Sequence, residues 1–142
     1  MTMSATPGSV FDVMVRLARR GLLGTYGDGR QYVSWIHERD FCRSVKFLLQ
    51  ENSVQGAVNL CSPNPLPNRE FNKILRQAAG ATVGLPCPKW ALEIGALAMQ
   101  TETELILKSR RAVPQRLLSE GFTFEFPQWN EASSEIASRL VR

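Results

Sequence analysis

Gly27-Asp28-Gly29-Arg30-Gln31-Tyr32-Val33-Ser34-Trp35-Ile36-His37-Glu38-Arg39-Asp40 carries the sharpest change of chemistry in the chain. Two glycines around an aspartate mark a turn. Gln31 to His37 follows, rich in aromatic and β-branched side chains, and predicts a strand. Asp40 is a good N-cap, and Phe41, Val45, Leu48 and Leu49 recur on one face behind it, so a helix is expected from Phe41 to about Gln50. A pyrophosphate cradle needs a strand, then a glycine loop, then a helix N-terminus whose free amides face the phosphate. Here a helix precedes the Gly24, Gly27 and Gly29 loop and a strand follows it, so these glycines predict a turn.

Upstream, Phe11, Met14, Val15 and Ala18 give helical spacing to Val10–Arg20, and Gly21 ends it. Residues 1–8 read as a disordered or tag-like start, which leaves 9–142 as one domain. Downstream, Gly56 to Cys61 is a short apolar run that predicts a buried strand. Three prolines in Ser62 to Asn68 exclude both helix and central strand. Asn68 is expected to cap a helix, Arg69–Ala79, that Gly80 stops. Pro86 and Pro88 introduce a helix at about 89–100, and 103–109 also reads as helical. Pro114 to Gly121 frames a short helix. Phe122 to Phe126 alternates strictly, which signals a half-buried strand that Pro127 ends. A last amphipathic helix spans about Gln128 to Leu140. The expected fold class is α/β and helix-rich. Three short strands separated by helices make no self-sufficient doubly wound sheet; they look like half of something larger.

Apolar residues make up 44% of the chain and charged residues 21%, an ordinary globular composition that excludes disorder and collagen-like structure. No apolar run approaches the ~20 residues of a membrane-spanning helix. The 17 basic and 13 acidic residues leave a net charge of +4, scattered along the chain without a dense basic stripe, which argues against nucleic-acid binding. Cys42, Cys61 and Cys87 are odd in number and form no C-x-x-C, so neither a disulfide framework nor a zinc site is signalled. The start lacks a signal-peptide layout, and a cytoplasmic protein is expected.

His37 is the sole histidine, so any histidine-dependent triad must use it. Beside Trp35 and Ile36 it reads as structural. Glu38 with Asp40, and Glu102 with Glu104, stand two apart and do not share a helical face. The basic run Lys108 to Arg111 suits either a phosphate clamp or a solvated helix end, and the second reading is preferred. No metal-binding or nucleophile motif is present.

The quoted stretch, as Gly27-x-Gly29-x-Gln31-x-x-Ser34-Trp35-Ile36-His37-x-x-Asp40, resembles a segment of the sugar-nucleotide epimerase-like branch of the extended short-chain dehydrogenase/reductases. Asn59 with Ser62-Pro63-Asn64-Pro65 and Asn68-x-x-Phe71 agrees in order. So does Ser109-x-Arg111-x-x-Pro114 with Leu117, Gly121-Phe122 and Phe124. The resemblance runs from about Phe11 to the end. It implies the C-terminal, substrate-side portion of an NAD(P)-dependent epimerase or dehydratase fold, a domain of unknown function that carries a helical cap. The family's cofactor fingerprint and Tyr-x-x-x-Lys pair would lie before this chain. Tyr26 is followed four residues on by Arg30, and Tyr32 by Ile36, so neither tyrosine fills the pair. No catalytic, metal or cofactor-binding residue is therefore expected in this chain, and NAD(P) is implied only for the full-length family. Gln31, Trp35, His37, Asn68, Arg110 and Arg111 are the expected substrate-binding residues, for a sugar or nucleotide-sugar-like molecule. Related epimerases often carry an arginine where Val33 stands, which weakens the nucleotide-sugar expectation unless Arg110 or Arg111 substitutes. The chain alone is expected to be inactive. The alternative is a stand-alone binding or oligomerisation module, pairing as a homodimer or with a separate cofactor-binding chain.

Overall fold

In a computed structural model, residues 1–51, 54–85 and 109–140 are described. The elements run β1 (Thr2–Met3), α1 (Val10–Arg19), β2 (Tyr32–Val33), β3 (Ile36–His37), α2 (Glu38–Gln50), β4 (Leu66–Pro67), α3 (Asn68–Ala78), α4 (Gln115–Ser119) and α5 (Trp129–Leu140). This is the expected helix-rich α/β chain with few, short strands. The helices expected at about 89–100 and over most of 103–109 lie outside the described residues.

Helix ends follow from local chemistry. Ser9 caps α1 by accepting from the Asp12 amide at 3.2 Å. Gly21, Gly80 and Gly121 each take positive φ just past a helix. The next amide then reaches back five residues, from Leu22 to Leu17, from Ala81 to Arg76 and from Phe122 to Leu117, each at 2.9 Å. These closures satisfy carbonyls the helix leaves open.

The core forms around Trp129. Its ring stacks on Phe71 at 4.1 Å and meets Trp35 at 4.9 Å and Phe11 at 6.1 Å. Its Nε1 donates to the Phe71 carbonyl at 3.0 Å, so the one polar atom of the buried indole is satisfied. Each such ring pair adds about 0.5–1.5 kcal/mol beyond area burial. The cluster joins α1, α3, α5 and the segment between β2 and β3, and Val15, Ala18, Leu75, Ala132 and Ile136 fill the space around it.

Several expectations are corrected. The strand expected over Gln31–His37 is two strands of two residues. Tyr32 and Val33 pair antiparallel with Pro67 and Leu66, whereas Ile36 and His37 pair parallel with Thr2 and Met3. Trp35 forces the break, because its side chain turns fully into the core. Within residues 1–8, Met3 is fully buried and Thr2–Met3 supplies the β1 ladder. Gly56 to Cys61 forms no ladder and is largely exposed as far as Leu60, since no described strand lies beside it. Phe122 to Phe126 keeps its alternation of burial but also has no ladder.

The reason is Asp40. It is not a helix cap. Helix α2 starts earlier, at Glu38, with the His37 side chain accepting from the Arg39 amide. Asp40 is 0% exposed, and its two oxygens accept the Glu125 and Phe126 amides at 2.8 Å each. Arg43 adds a third donor at 2.7 Å. The backbone groups a partner strand would have taken are spent on one carboxylate. Asn68 likewise does not cap α3 with its side chain, which accepts from Tyr26 instead.

Helix α2 is also turned over relative to expectation. Its buried residues are Asp40 and Ser44. Phe41, Val45 and Leu49, one helical turn apart from each other, are 36%, 37% and 81% exposed.

Charge ties α5 to α2. Glu135 accepts from His37 Nε2 at 3.0 Å and pairs with Arg39 and Arg139 at the same distance, while Arg139 also bridges to Glu38. Burial of Glu135 opposes its ionised form. The hydrogen bond from His37 and the charge of Arg139 outweigh that cost and hold the carboxyl below its ordinary 4.5.

Two predictions follow from these ties. Asp40→Asn replaces an acceptor with an amide N–H facing a backbone N–H, and should cost about 2–4 kcal/mol in urea unfolding. For Glu135, a depressed folded pKa means a contribution complete above the unfolded value and lost as pH falls through the folded one. Glu135→Gln is therefore expected to flatten the decline in stability between about pH 6 and about pH 3, read as the urea midpoint at each pH.

Candidate functional site

The Gly27–Gly29 turn is pressed against the start of α3. A Cβ on Gly29 would lie 2.3 Å from Thr25 Cγ2 and 3.0 Å from Arg69 Cβ, and its φ of +71° is one that side chains rarely adopt. The Gly29 carbonyl accepts the Arg69 amide at 3.1 Å, and the Gln31 carbonyl accepts the Asn68 amide at 2.8 Å. The first two amides of α3 are thus consumed by backbone. The Gly29 amide itself donates to Tyr26 O at 3.0 Å. A strand follows the turn, the reverse of the strand–loop–helix order of a pyrophosphate cradle, and the Gly29 amide is spent within the turn.

Of the expected substrate-binding residues, Gln31 and Asn68 are brought together. Gln31 Nε2 donates to the Tyr26 carbonyl and Asn68 Oδ1 accepts the Tyr26 amide, both at 2.9 Å. They clamp one residue of the loop from both sides. Asn72 Nδ2 holds the same loop through Gly24 O at 2.6 Å, and its Oδ1 is a buried acceptor without a partner.

Trp35 and His37 are fully buried. Trp35 Nε1 donates to Asn64 O at 3.1 Å. His37 Nδ1 accepts the Arg39 amide at 3.1 Å, which places the ring proton on Nε2 for donation to Glu135. The ring stacks on Phe126 at 4.1 Å. Every polar atom of both side chains is engaged inside the domain.

Arg110 and Arg111 are exposed and lie along β2. Tyr32 N donates to Ser109 Oγ at 3.1 Å and Tyr32 O accepts the Arg110 amide at 3.0 Å. Ser34 Oγ bridges Arg110 O at 2.6 Å and the Ala112 amide at 2.9 Å. The Arg111 guanidinium sits 4.8 Å over the Tyr32 ring.

A groove of about 600 Å³ opens beside them, lined by Arg30, Tyr32, Pro67, Arg69, Glu70 and Lys73. None of its lining residues was among the six expected. The signal the sequence holds for it is two spacings not singled out above: Arg30 and Tyr32 stand two apart on an extended segment, and Arg69 and Lys73 four apart on a helix. Among the described residues no group of three or more His, Cys, Asp or Glu is placed to hold a metal. Burial pushes the Cys61 thiol above its ordinary 9.0, against the opposing Met1 ammonium, which leaves it a poor nucleophile. No helix among the described residues is long and apolar enough to cross a membrane.

Comparison with known proteins accounts for this partial architecture. Residues 87–136 match the family model described as "Domain of unknown function (DUF1731)". Epimerase family protein YfhF of Bacillus subtilis is 30% identical over 113 residues, which are 80% of this chain and 36% of that protein. Human epimerase family protein SDR39U1 is 30% identical over 131 residues, 92% of this chain and 44% of that protein. The crystal structure of the human protein with NADPH superimposes with a TM-score of 0.85 at 28% identity, over 96% of this chain and 45% of that one. A UDP-N-acetylglucosamine 4-epimerase from Bacillus cereus shares the fold, with a TM-score of 0.68 at 16% identity, 98% of this chain and 43% of that one. The chain spans less than half the length of these relatives. Its strand stubs, its helical packing and its matched residues together are similar to the C-terminal part of these epimerase family proteins, whose fold is that of the extended short-chain dehydrogenase/reductases.

Proposed function

We propose that this chain is the substrate-side domain of an NAD(P)-dependent epimerase-like protein, silent until a nucleotide-binding half covers α2. The observation that carries this reading is the reversed polarity of that helix. A helix in a finished domain buries its apolar stripe. Helix α2 instead turns Asp40 and Ser44 inward and Phe41, Val45 and Leu49 outward. Two further features support it. The β1–β3 ladder is parallel, and parallel strands are normally buried within a larger sheet. The apolar run Gly56 to Cys61 lacks a ladder partner among the described residues. The human relative crystallised with NADPH has more than half its length beyond the part this chain matches.

The substrate is a sugar or a sugar-nucleotide-like molecule. Arg110 and Arg111 are the residues free to contact it, offering planar guanidinium groups for an anionic moiety. Ser34 fixes their backbone through its two hydrogen bonds. Gln31, Trp35, His37 and Asn68 act from within, holding the wall on which the arginines stand.

Calorimetric titration of the chain with NADPH should show no binding tighter than about 1 mM. Micromolar affinity would overturn the reading. Leu49→Glu should leave the urea stability of the isolated chain within about 0.5 kcal/mol, because Leu49 is 81% exposed, whereas Val45→Glu, at 37% exposure, should cost more. Sedimentation decides what covers the stripe. A dimer that these substitutions dissociate would make a second copy the cover and favour the oligomerisation module.

A further inference from the structure

The groove beside Tyr32 holds a cluster of charge that the reading above does not use. Arg30, Arg69 and Lys73 line it together, with Glu70 the one carboxylate on its walls. Two elements deliver these cations. Gly29 lets the turn touch α3, which sets Arg30 next to Arg69, and Lys73 follows one helical turn on. Arg30 is held in its turn by its amide, which donates to Asp28 Oδ1 at 3.0 Å. Pro67 faces Tyr32 across the β2–β4 ladder and forms the floor with it. Arg111 over the Tyr32 ring adds a fourth cation beside the groove.

Four other arginines of the structure are neutralised. Arg16, Arg39, Arg43 and Arg139 each pair with a carboxylate. Among the described residues no carboxylate pairs with Arg30, Arg69 or Lys73. Converging like charges are unfavourable unless an anion offsets them. The first two α3 amides are already bonded to the Gln31 and Gly29 carbonyls, and the charge that lines the groove is carried by side chains from two elements.

We propose that this groove binds a small phosphorylated molecule through its di- or triphosphate. Three cations against one carboxylate exceed what a monoanion balances. Arginine recognises phosphate oxygens bidentately, and lysine adds a mobile point charge. A volume of about 600 Å³ lies within the ordinary range of small-molecule sites. Six residues line this open groove, and the remaining basic residues are dispersed along the sequence, which argues against an extended track for a nucleic acid. Arg30, Arg69 and Lys73 are not among the residues the proposed function uses, although Arg111 borders both sites, and the test requires no cofactor-binding half.

Inorganic pyrophosphate is the probe, titrated calorimetrically into the full 142-residue chain at constant ionic strength, with acetate as the monoanion control. The expected result is one pyrophosphate per chain and no detectable acetate. Arg69→Ala with Lys73→Ala should weaken binding by about tenfold or more, consistent with charge-assisted contacts. Glu70→Gln should tighten it about two- to threefold by removing the opposing charge. Arg19→Ala with Arg20→Ala, exposed cations at the C-terminal end of α1, should change nothing. Absence of pyrophosphate binding, an equal loss in the Arg19/Arg20 pair, or weaker binding by Glu70→Gln overturns the proposal. Tighter binding of a single-stranded RNA decamer than of pyrophosphate, with the same Arg69/Lys73 dependence, overturns it in favour of a nucleic-acid surface.

Discussion

One buried carboxylate organises the described structure. Asp40 draws the backbone amides of Glu125 and Phe126 onto its two oxygens and takes Arg43 as a third donor. A buried charge persists only when it is this fully compensated. The consequence propagates through the chain. Fixing Phe126 fixes the stacking partner of His37, and fixing the segment before Pro127 sets where α5 begins. Pro127 O then accepts from Ser62 and Asn64 at 3.0 Å each, which anchors the proline-rich loop. Trp129 follows two residues later and enters the core between Phe71, Trp35 and Phe11. A polar contact thereby specifies where the apolar contacts form.

The helices were the legible part of the sequence. Phe11, Val15 and Ala18 in α1, and Phe71 and Leu75 in α3, are periodic and buried, and Gly21, Gly80 and Gly121 end their helices as their positions suggest. These features are local, so local pattern suffices. The strands were less legible because a strand is defined by its neighbour. Phe122 to Phe126 alternates as a strand should, yet its amides answer to a residue more than eighty positions away. Asp40 itself illustrates the ambiguity: an aspartate ahead of an apolar run has the same appearance whether it caps the helix or is buried in its first turn. The same holds for α2, where periodicity identifies an apolar face but not which way that face points.

The candidate site divides along the same line. Gln31, Trp35, His37 and Asn68 stood out because they are unusual residues at element ends, and all four are engaged in holding loops and rings. The groove residues escaped notice because Arg30, Arg69 and Lys73 are commonplace surface cations one by one. They acquire meaning only when the Gly29 turn brings an extended segment and a helix face together. The family resemblance located the chain within a larger fold but spoke only to the motif positions it contained.

The placement of Trp35 against Trp129 gives the chain a built-in optical reporter. Both indoles are shielded from solvent, lie 4.9 Å apart and donate to backbone carbonyls. Their emission depends on three separate stretches of polypeptide meeting at once, so the near-ultraviolet signal from this pair records the arrival of tertiary order rather than the winding of any single helix.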